Sequence, residues 1–177
     1  MPSPDPSDLS IAKDLDLIAR AVGLVVLQWG QAEQSLELLV ASLWQSFSGH
    51  KYAKRIPVLL TPKLSFVKAC VAGTPALKEL EPRVLSLALG FERLSALRHD
   101  LIHGAAASIP AVDGHFVFTK LDVHDGYHHA REVRIPIEAY PNLVRNLVAL
   151  GREAHETASQ VFSVSLALEL TPTLPKT

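Results

Sequence analysis

Apolar positions with a helical spacing dominate the first quarter of the chain. After Asp8 or Ser10, either of which can cap a helix, residues 12 to 20 show helical spacing and Gly23 then allows a bend. From about Val22 to Phe47, apolar residues recur every three or four positions over about seven turns. We therefore expect a short first helix, a bend or break at Gly23 and a long core helix.

A second long helical pattern ends at His103. Before it, residues 51 to 62 are interrupted by two prolines and predict a connection, and residues 63 to 72 predict a short helix. Pro82 separates a first turn from the continuous part of the second long helix. Gly104 is expected to terminate that helix as its C-cap.

The pattern changes to strict alternation between residues 115 and 137. Residues 115 to 123 and 131 to 137 alternate between apolar and polar, and Asp125-Gly126 between them is typical of a tight hairpin turn. Pro141 then opens a last helix, from Asn142 to about Leu168. We expect a β-hairpin at about 115–137, inserted before this helix.

Together these elements predict a mainly α protein, an antiparallel four- to five-helix bundle with one inserted β-hairpin. Residues 9 to 168 are expected to form a single helical-bundle domain. Residues 1 to 8 are predicted to be a disordered leader, since they lack the basic start and apolar run of a signal peptide. The proline-containing residues 169 to 177 are predicted to be a disordered tail.

Composition narrows the class of protein. The chain has 177 residues, 48% of them hydrophobic, which is enough for one domain with a substantial core. Its 17 Lys and Arg balance 18 Asp and Glu, so any contact with nucleic acid must depend on a local site. A single cysteine, Cys70, excludes an intramolecular disulfide and favours the cytoplasm. No apolar run reaches the roughly 20 residues of a membrane span, and we expect no cofactor.

Arg98 is a charge in an apolar stripe. Helical projection places it among Val84, Leu87, Phe91, Leu94, Leu101 and Ile102. A buried guanidinium needs a carboxylate, a dimer partner or an anionic ligand. Glu33 is a similar misfit in the apolar stripe of the Trp29 helix, so the two residues are expected to lie in or near contact. Two interpretations are open: a structural salt bridge that fixes the helix register, and a catalytic or ligand-orienting arrangement.

His99, Asp100 and His103 share a more polar flank at the end of the same helix. The helix dipole favours a protonated histidine in the last turn, which suits anion binding, acid-base chemistry or simple capping by His103. The spacing of His99 and His103 also allows two imidazoles to share a metal ion, but no glutamate stands where a metalloprotease base would be needed. We therefore expect no metal site.

The stretch Arg98-His99-Asp100-Leu101-Ile102-His103-Gly104 resembles the Arg-x4-His motif of the HEPN superfamily. The resemblance extends over about residues 20 to 165 and implies a four- or five-helix bundle that forms homodimers, with the two motifs facing across the interface. It also implies a metal-independent endoribonuclease, or a protein of RNA processing or defence, in which Arg98 stabilises phosphate charge and His103 transfers a proton. We expect Trp29, Glu33, His99 and Asp100 as supporting residues.

Partners and activity remain open within this resemblance. Toxins of the superfamily act on RNA and pair with an antitoxin, in one subgroup a nucleotidyltransferase. That subgroup has a tyrosine two residues after the histidine, where this chain has Ala105. Other members are non-catalytic modules for dimerisation or partner binding, which is the alternative function for this chain.

The predicted connection at residues 51 to 62, just before the short helix at residues 63 to 72, is rich in basic residues. Lys51, Lys54, Arg55 and Lys63 lie near Tyr52 in the sequence. Such a segment can follow a phosphate backbone, and it can equally be a solvated loop.

Overall fold

The computed structural model describes residues 6 to 170, and for residues 6 to 10, 108 to 110 and 124 it describes the backbone alone. Within this range the protein is mainly helical, with four α-helices and one small antiparallel sheet. The helices are α1 (Pro6–Ser46), α2 (Leu60–Gly73), α3 (Glu81–His103) and α4 (Tyr140–Leu170), and the strands are β1 (Ala105–Val112), β2 (His115–His124) and β3 (Tyr127–Pro136). Short 3₁₀ segments occupy Gly49–Lys51, Pro75–Leu80 and Ile137–Ala139.

Helix α1 runs for 41 residues without interruption, so the expected break at Gly23 was wrong. Glycine in a helix costs only about 1 kcal/mol relative to alanine. Around Gly23, Ile18, Ala21 and Val25 are all buried, and this continuous apolar stripe offsets that cost. Tertiary packing therefore overrides the local preference of the glycine.

The two predicted terminal segments were drawn slightly too long. Helix α1 begins at Pro6, so residues 6 to 8 are helical, and α4 ends at Leu170, so residues 169 and 170 are helical as well. The remaining positions of the leader and of the tail lie outside the described residues.

Helix α3 begins at Glu81 and ends at His103, close to the predicted limits. Gly104 follows it, but not as a left-handed cap, because the glycines with positive φ among the described residues are Gly114 and Gly126. The backbone N–H of Gly104 donates to the carbonyl of Asp100 at 3.1 Å. A Cβ at position 104 would lie 2.6 Å from that carbonyl oxygen and 2.9 Å from Cβ of Phe118. Glycine therefore permits a close approach of α3 to β2.

The predicted hairpin is present as β2 and β3, but it belongs to a three-stranded sheet of order β1-β2-β3. The turn at Asp125 and Gly126 has φ values of 52° and 80°, as a type I′ hairpin turn requires. The expectation of a lone hairpin missed β1, because its alanine-rich start does not alternate. Asp113 and Gly114, with φ values of 50° and 73°, form a second tight turn that joins β1 to β2.

The described chain separates into two compact units. The first unit contains residues up to Trp29 together with Leu94–Leu147, and the second contains Gly30–Arg93 together with residues from Val148 onward. In the first unit, the rings of Phe116 and Tyr140 pack edge to face, with centroids 5.6 Å apart. Other buried members of that core are Val25, Leu101, Phe118, Ile135, Leu143 and Leu147.

The second unit has its own apolar core. Its fully buried side chains include Leu36, Leu39, Leu43, Leu77, Val84 and Phe91. On its surface, Arg83 pairs with Glu153 at 2.6 Å and with Glu156 at 2.7 Å, which links α3 to α4. Among the residues described, no helix combines the length and apolar character needed to cross a membrane.

Candidate functional site

Arg98 lies near the end of α3, and its guanidinium packs against the ring of Trp29 on α1. Its central carbon lies 5.8 Å from the centre of the buried Trp29 ring, within the distance of a cation–π contact. The Nε atom of Arg98 is buried and has no hydrogen-bond partner within the part of the chain that the structure describes. Helical projection predicted that Arg98 faces the packed side of α3, and this contact agrees with it. The result is a permanent cation held in a fixed position by packing.

His99 and His103 lie side by side one turn apart. Their ring centroids are 4.5 Å apart with an interplanar angle of 52°, and both side chains are exposed. Desolvation of the imidazole ring lowers the pKa of His99 below its ordinary value, and the positive charges of Lys120 and His103 act in the same direction. His99 is therefore favoured in its neutral form near pH 7, with a ring nitrogen that can accept a proton or a hydrogen bond.

Asp100 is engaged by the sheet. Its carboxylate accepts hydrogen bonds from Nζ of Lys120 and from Nη2 of Arg131, each at 2.8 Å. Asp122 completes the cluster by accepting from Nε of Arg131 at 2.7 Å. Hydrogen bonds from Arg131 and then from Lys120 lower the pKa of the Asp100 carboxyl despite its partial burial. These contacts make Asp100 a link between α3 and strands β2 and β3.

Lys120 and Arg131 were missed from the sequence as members of this site. They are direct cross-strand partners in the β2–β3 register, so two like charges face each other. Such a pair is unfavourable unless carboxylates lie beside it, and here Asp100 and Asp122 supply them. The alternation of charges in β2 was visible in the sequence, but only the register shows which residues meet.

Glu33 is half-buried on α1 and belongs to the second unit. Its expected contact with Arg98 therefore stays a prediction. Metal binding by His99 and His103 has no third ligand beside it, because the described residues contain no group of three or more His, Cys, Asp or Glu side chains placed to hold a metal ion.

The site thus combines two exposed imidazoles, of His99 and His103, with the guanidinium of Arg98. All three residues lie within a turn and a half of α3. Imidazoles exchange protons near neutral pH, and a guanidinium binds phosphate or carboxylate through several N–H groups. The neighbouring Lys120, whose side chain is 12% exposed, is already paired with Asp100 and Asp122. This set of groups is suited to acid-base chemistry on an anionic substrate.

Comparisons of the chain with models of protein families, with curated proteins and with solved structures found no match.

Proposed function

We propose that this protein is a HEPN-like, metal-independent endoribonuclease that acts as a homodimer. The observation that carries the proposal is the exposed pair of imidazoles, His99 and His103, on the same end of α3 as Arg98, whose guanidinium lies over the Trp29 ring. The helical architecture and the Arg-x4-His spacing support the same class.

The reaction needs two proton transfers and stabilisation of charge. A base removes the proton of the ribose 2′-hydroxyl, O2′ forms a bond to phosphorus, and the bond from phosphorus to O5′ breaks. An acid protonates the departing O5′, and the product strand ends in a 2′,3′-cyclic phosphate. Two imidazoles can perform both proton transfers without a metal ion, and a guanidinium can stabilise the charge that develops on the phosphate.

In this proposal Arg98 binds the scissile phosphate and His103 transfers a proton. His99, whose lowered pKa favours the neutral ring, supports His103 as a proton acceptor. Asp100 and Trp29 hold the helix end and the guanidinium in place. A second copy of the chain brings a second motif to the same cleft, so that groups from both protomers act on one phosphate.

The test is cleavage of labelled RNA oligonucleotides by the purified protein in the presence of EDTA. We expect cleavage that leaves a cyclic phosphate and fails on an oligonucleotide with a 2′-deoxyribose at the cleaved position. Arg98→Ala and His103→Ala should each lower the rate by roughly 100-fold or more. Arg93→Ala on α3 and His155→Ala on α4 are matched controls, since both side chains are exposed outside the motif.

Thermal denaturation of every variant is measured beside the cleavage rate, so that loss of folding is not mistaken for loss of catalysis. Cleavage that survives both Arg98→Ala and His103→Ala would contradict the proposal. A wild-type protein that cleaves none of the oligonucleotides would contradict it equally.

A non-catalytic bundle for dimerisation or partner binding is the second candidate. The observation that favours it is that Arg98 packs on Trp29 while Asp100 is occupied by the sheet, which are contacts a structural role alone would explain. This alternative predicts a large loss of stability in Arg98→Ala, near-normal stability in His103→Ala and no RNA cleavage by the wild type.

A further inference from the structure

A cavity of about 770 Å³ lies beside the segment that connects the 3₁₀ turn Gly49–Lys51 to helix α2. This connecting segment, residues 52 to 59, has no regular secondary structure and forms one side of the cavity, and Phe66 of α2 contributes to its lining. The volume lies within the range of ligand-binding clefts in proteins. All of these residues belong to the second unit and none is part of the candidate nuclease site.

Large apolar side chains of the connecting segment are exposed to solvent. Ile56 is 50% exposed, Val58 is 78% exposed and Leu59 is 72% exposed. Ile56 and Val58 also line a second cavity, of about 540 Å³, on α1. Three large aliphatic side chains within four residues form a concentrated apolar patch, and patches of this kind mark binding sites. Pro57 restricts the backbone between them, which lowers the entropy lost when a partner binds.

The charge at the first cavity is positive. Lys54 and Arg55 line it and are exposed, and its described lining residues include no Asp or Glu. In the second cavity Glu37 accepts a hydrogen bond from Nζ of Lys63 at 2.8 Å, and the side chain of Lys63 is only 4% exposed. The Glu37 carboxylate of the second cavity is therefore already paired with Lys63, and a partner with carboxylates would complement Lys54 and Arg55.

The aromatic residue of the segment is not available for stacking on a nucleic-acid base. Tyr52 is half-buried, and its hydroxyl lies 3.5 Å from that of Thr74. Its ring is so close to Gly73 that a Cβ there would lie 2.6 Å from Cε1. Single-stranded RNA is bound by exposed aromatic rings together with cations. The exposed side chains here are aliphatic instead, which favours a protein partner over RNA.

We propose that the connecting segment and its cavity bind an acidic peptide segment of a partner protein. Large aliphatic side chains of the partner's peptide enter the cavity and pack against Phe66. Carboxylates of the same peptide pair with Lys54 and Arg55. This surface gives the protein a docking site that does not depend on whether it cleaves RNA.

Peptide phage display tests the proposal. A library of random short peptides is selected on the immobilised wild-type protein and counter-selected on Val58→Asp. We expect enrichment of peptides that combine Asp or Glu with Leu, Ile or Phe. A synthetic copy of an enriched peptide, labelled with fluorescein, should bind the wild type and lose at least about tenfold in affinity with Val58→Asp. Charge reversal by Lys54→Glu with Arg55→Glu should weaken it similarly, and added salt should weaken binding to the wild type.

Leu89→Asp is the matched control, because Leu89 is 65% exposed on α3 and lines neither cavity. It should leave peptide affinity unchanged. Enrichment without acidic residues, or equal affinity for wild type and Val58→Asp, would overturn the proposal. Two further results would overturn it if no peptide is selected. One is that the protein binds a labelled single-stranded RNA, and the other is that it self-associates, in each case in a way that Val58→Asp abolishes.

Discussion

The side chain of Asp100 is 18% exposed, and its carboxylate accepts hydrogen bonds from both Lys120 and Arg131. Sequence reasoning grouped Asp100 with the histidines because it adjoins them on the helix. Its partners instead come from two strands that are 20 and 31 residues away along the chain. Its neighbour His99 is exposed, so adjacent residues of this helix end have different surroundings.

We predict that Asp100→Asn destabilises the protein by about 1–3 kcal/mol at pH 7, because Lys120 loses its closest carboxylate in a half-buried position. The pKa of Asp100 is lowered from its ordinary value of 3.8. Its stabilising contribution is therefore fully present above about pH 4 and is lost as the pH falls through the lower folded-state pKa. Urea denaturation at pH 7 and near pH 3 should show a difference between wild type and variant that shrinks in acid.

Glu132→Gln is the control for this measurement. Glu132 pairs with Arg134 at 2.6 Å, but both side chains are more than half exposed, so its loss should change stability by less than about 1 kcal/mol. An equal effect of the two substitutions would contradict a special role for the Asp100 cluster.

Gly104 provides a second prediction at the scale of one residue. We expect Gly104→Ala to destabilise the protein by about 1–3 kcal/mol, because its Cβ would meet the Asp100 carbonyl and Phe118. Gly30→Ala is the matched comparison, since outside its own helix backbone no described residue lies within 4 Å of a Cβ there. Midpoints of chemical denaturation should fall for the first variant and stay level or rise for the second.

At the scale of elements, α1 shows how packing decides the length of a helix. Its buried positions continue on both sides of Gly23, and beyond the helix's own backbone none of the described residues comes within 4 Å of a Cβ built there. The helix therefore needs neither the flexibility nor the small size of glycine at this position.

We predict that Gly23→Ala stabilises the protein by about 0.5–1 kcal/mol, because alanine loses less backbone entropy when the helix forms. Gly126→Ala should have the opposite effect, since Gly126 has a φ of 80° that an L-residue adopts at a cost of about 1–2 kcal/mol. Thermal denaturation of both variants checks the pair. A loss of stability in Gly23→Ala would indicate that α1 does bend at this point.

The sheet differs from the hairpin expected of it by one strand. Strand β1 pairs with β2 through irregular register shifts between Ala106 and Val112, whereas β2 and β3 pair regularly over ten residues each. Regular alternation predicted β2 and β3. An edge strand with register shifts need not alternate, which is why β1 left a weaker pattern in the sequence.

At the scale of the whole molecule, the proposed nuclease requires two copies of the chain. If Arg98 of one protomer acts with His103 of the other, a mixed dimer of Arg98→Ala and His103→Ala chains contains one intact site. We predict that mixing and refolding the two inactive variants restores about a quarter of the wild-type cleavage rate, as random pairing of chains requires.

Sedimentation should show dimers in each preparation before and after mixing. Each variant refolded alone serves as the control and should remain inactive. Activity that stays absent after mixing, in dimers that have exchanged chains, would mean that both groups act within one protomer.

The sequence by itself determined the elements whose patterns are long and regular: the helical stretches that end near Phe47 and His103, the last helix and the hairpin with its Asp125-Gly126 turn. It also placed Arg98 on the packed side of α3 and the two histidines on one flank, because helical geometry follows from spacing alone.

Tertiary structure alone decided the contacts between residues that are distant along the chain. Because of tertiary packing, α1 continues as a helix past Gly23 and Arg98 contacts Trp29. The register of two strands places Lys120 and Arg131 within hydrogen-bond distance of Asp100. A spacing rule describes one element at a time, whereas these contacts depend on how separate elements pack. The sequence therefore predicted the pair of imidazoles. It did not predict the neighbouring charged cluster of Asp100, Lys120, Asp122 and Arg131.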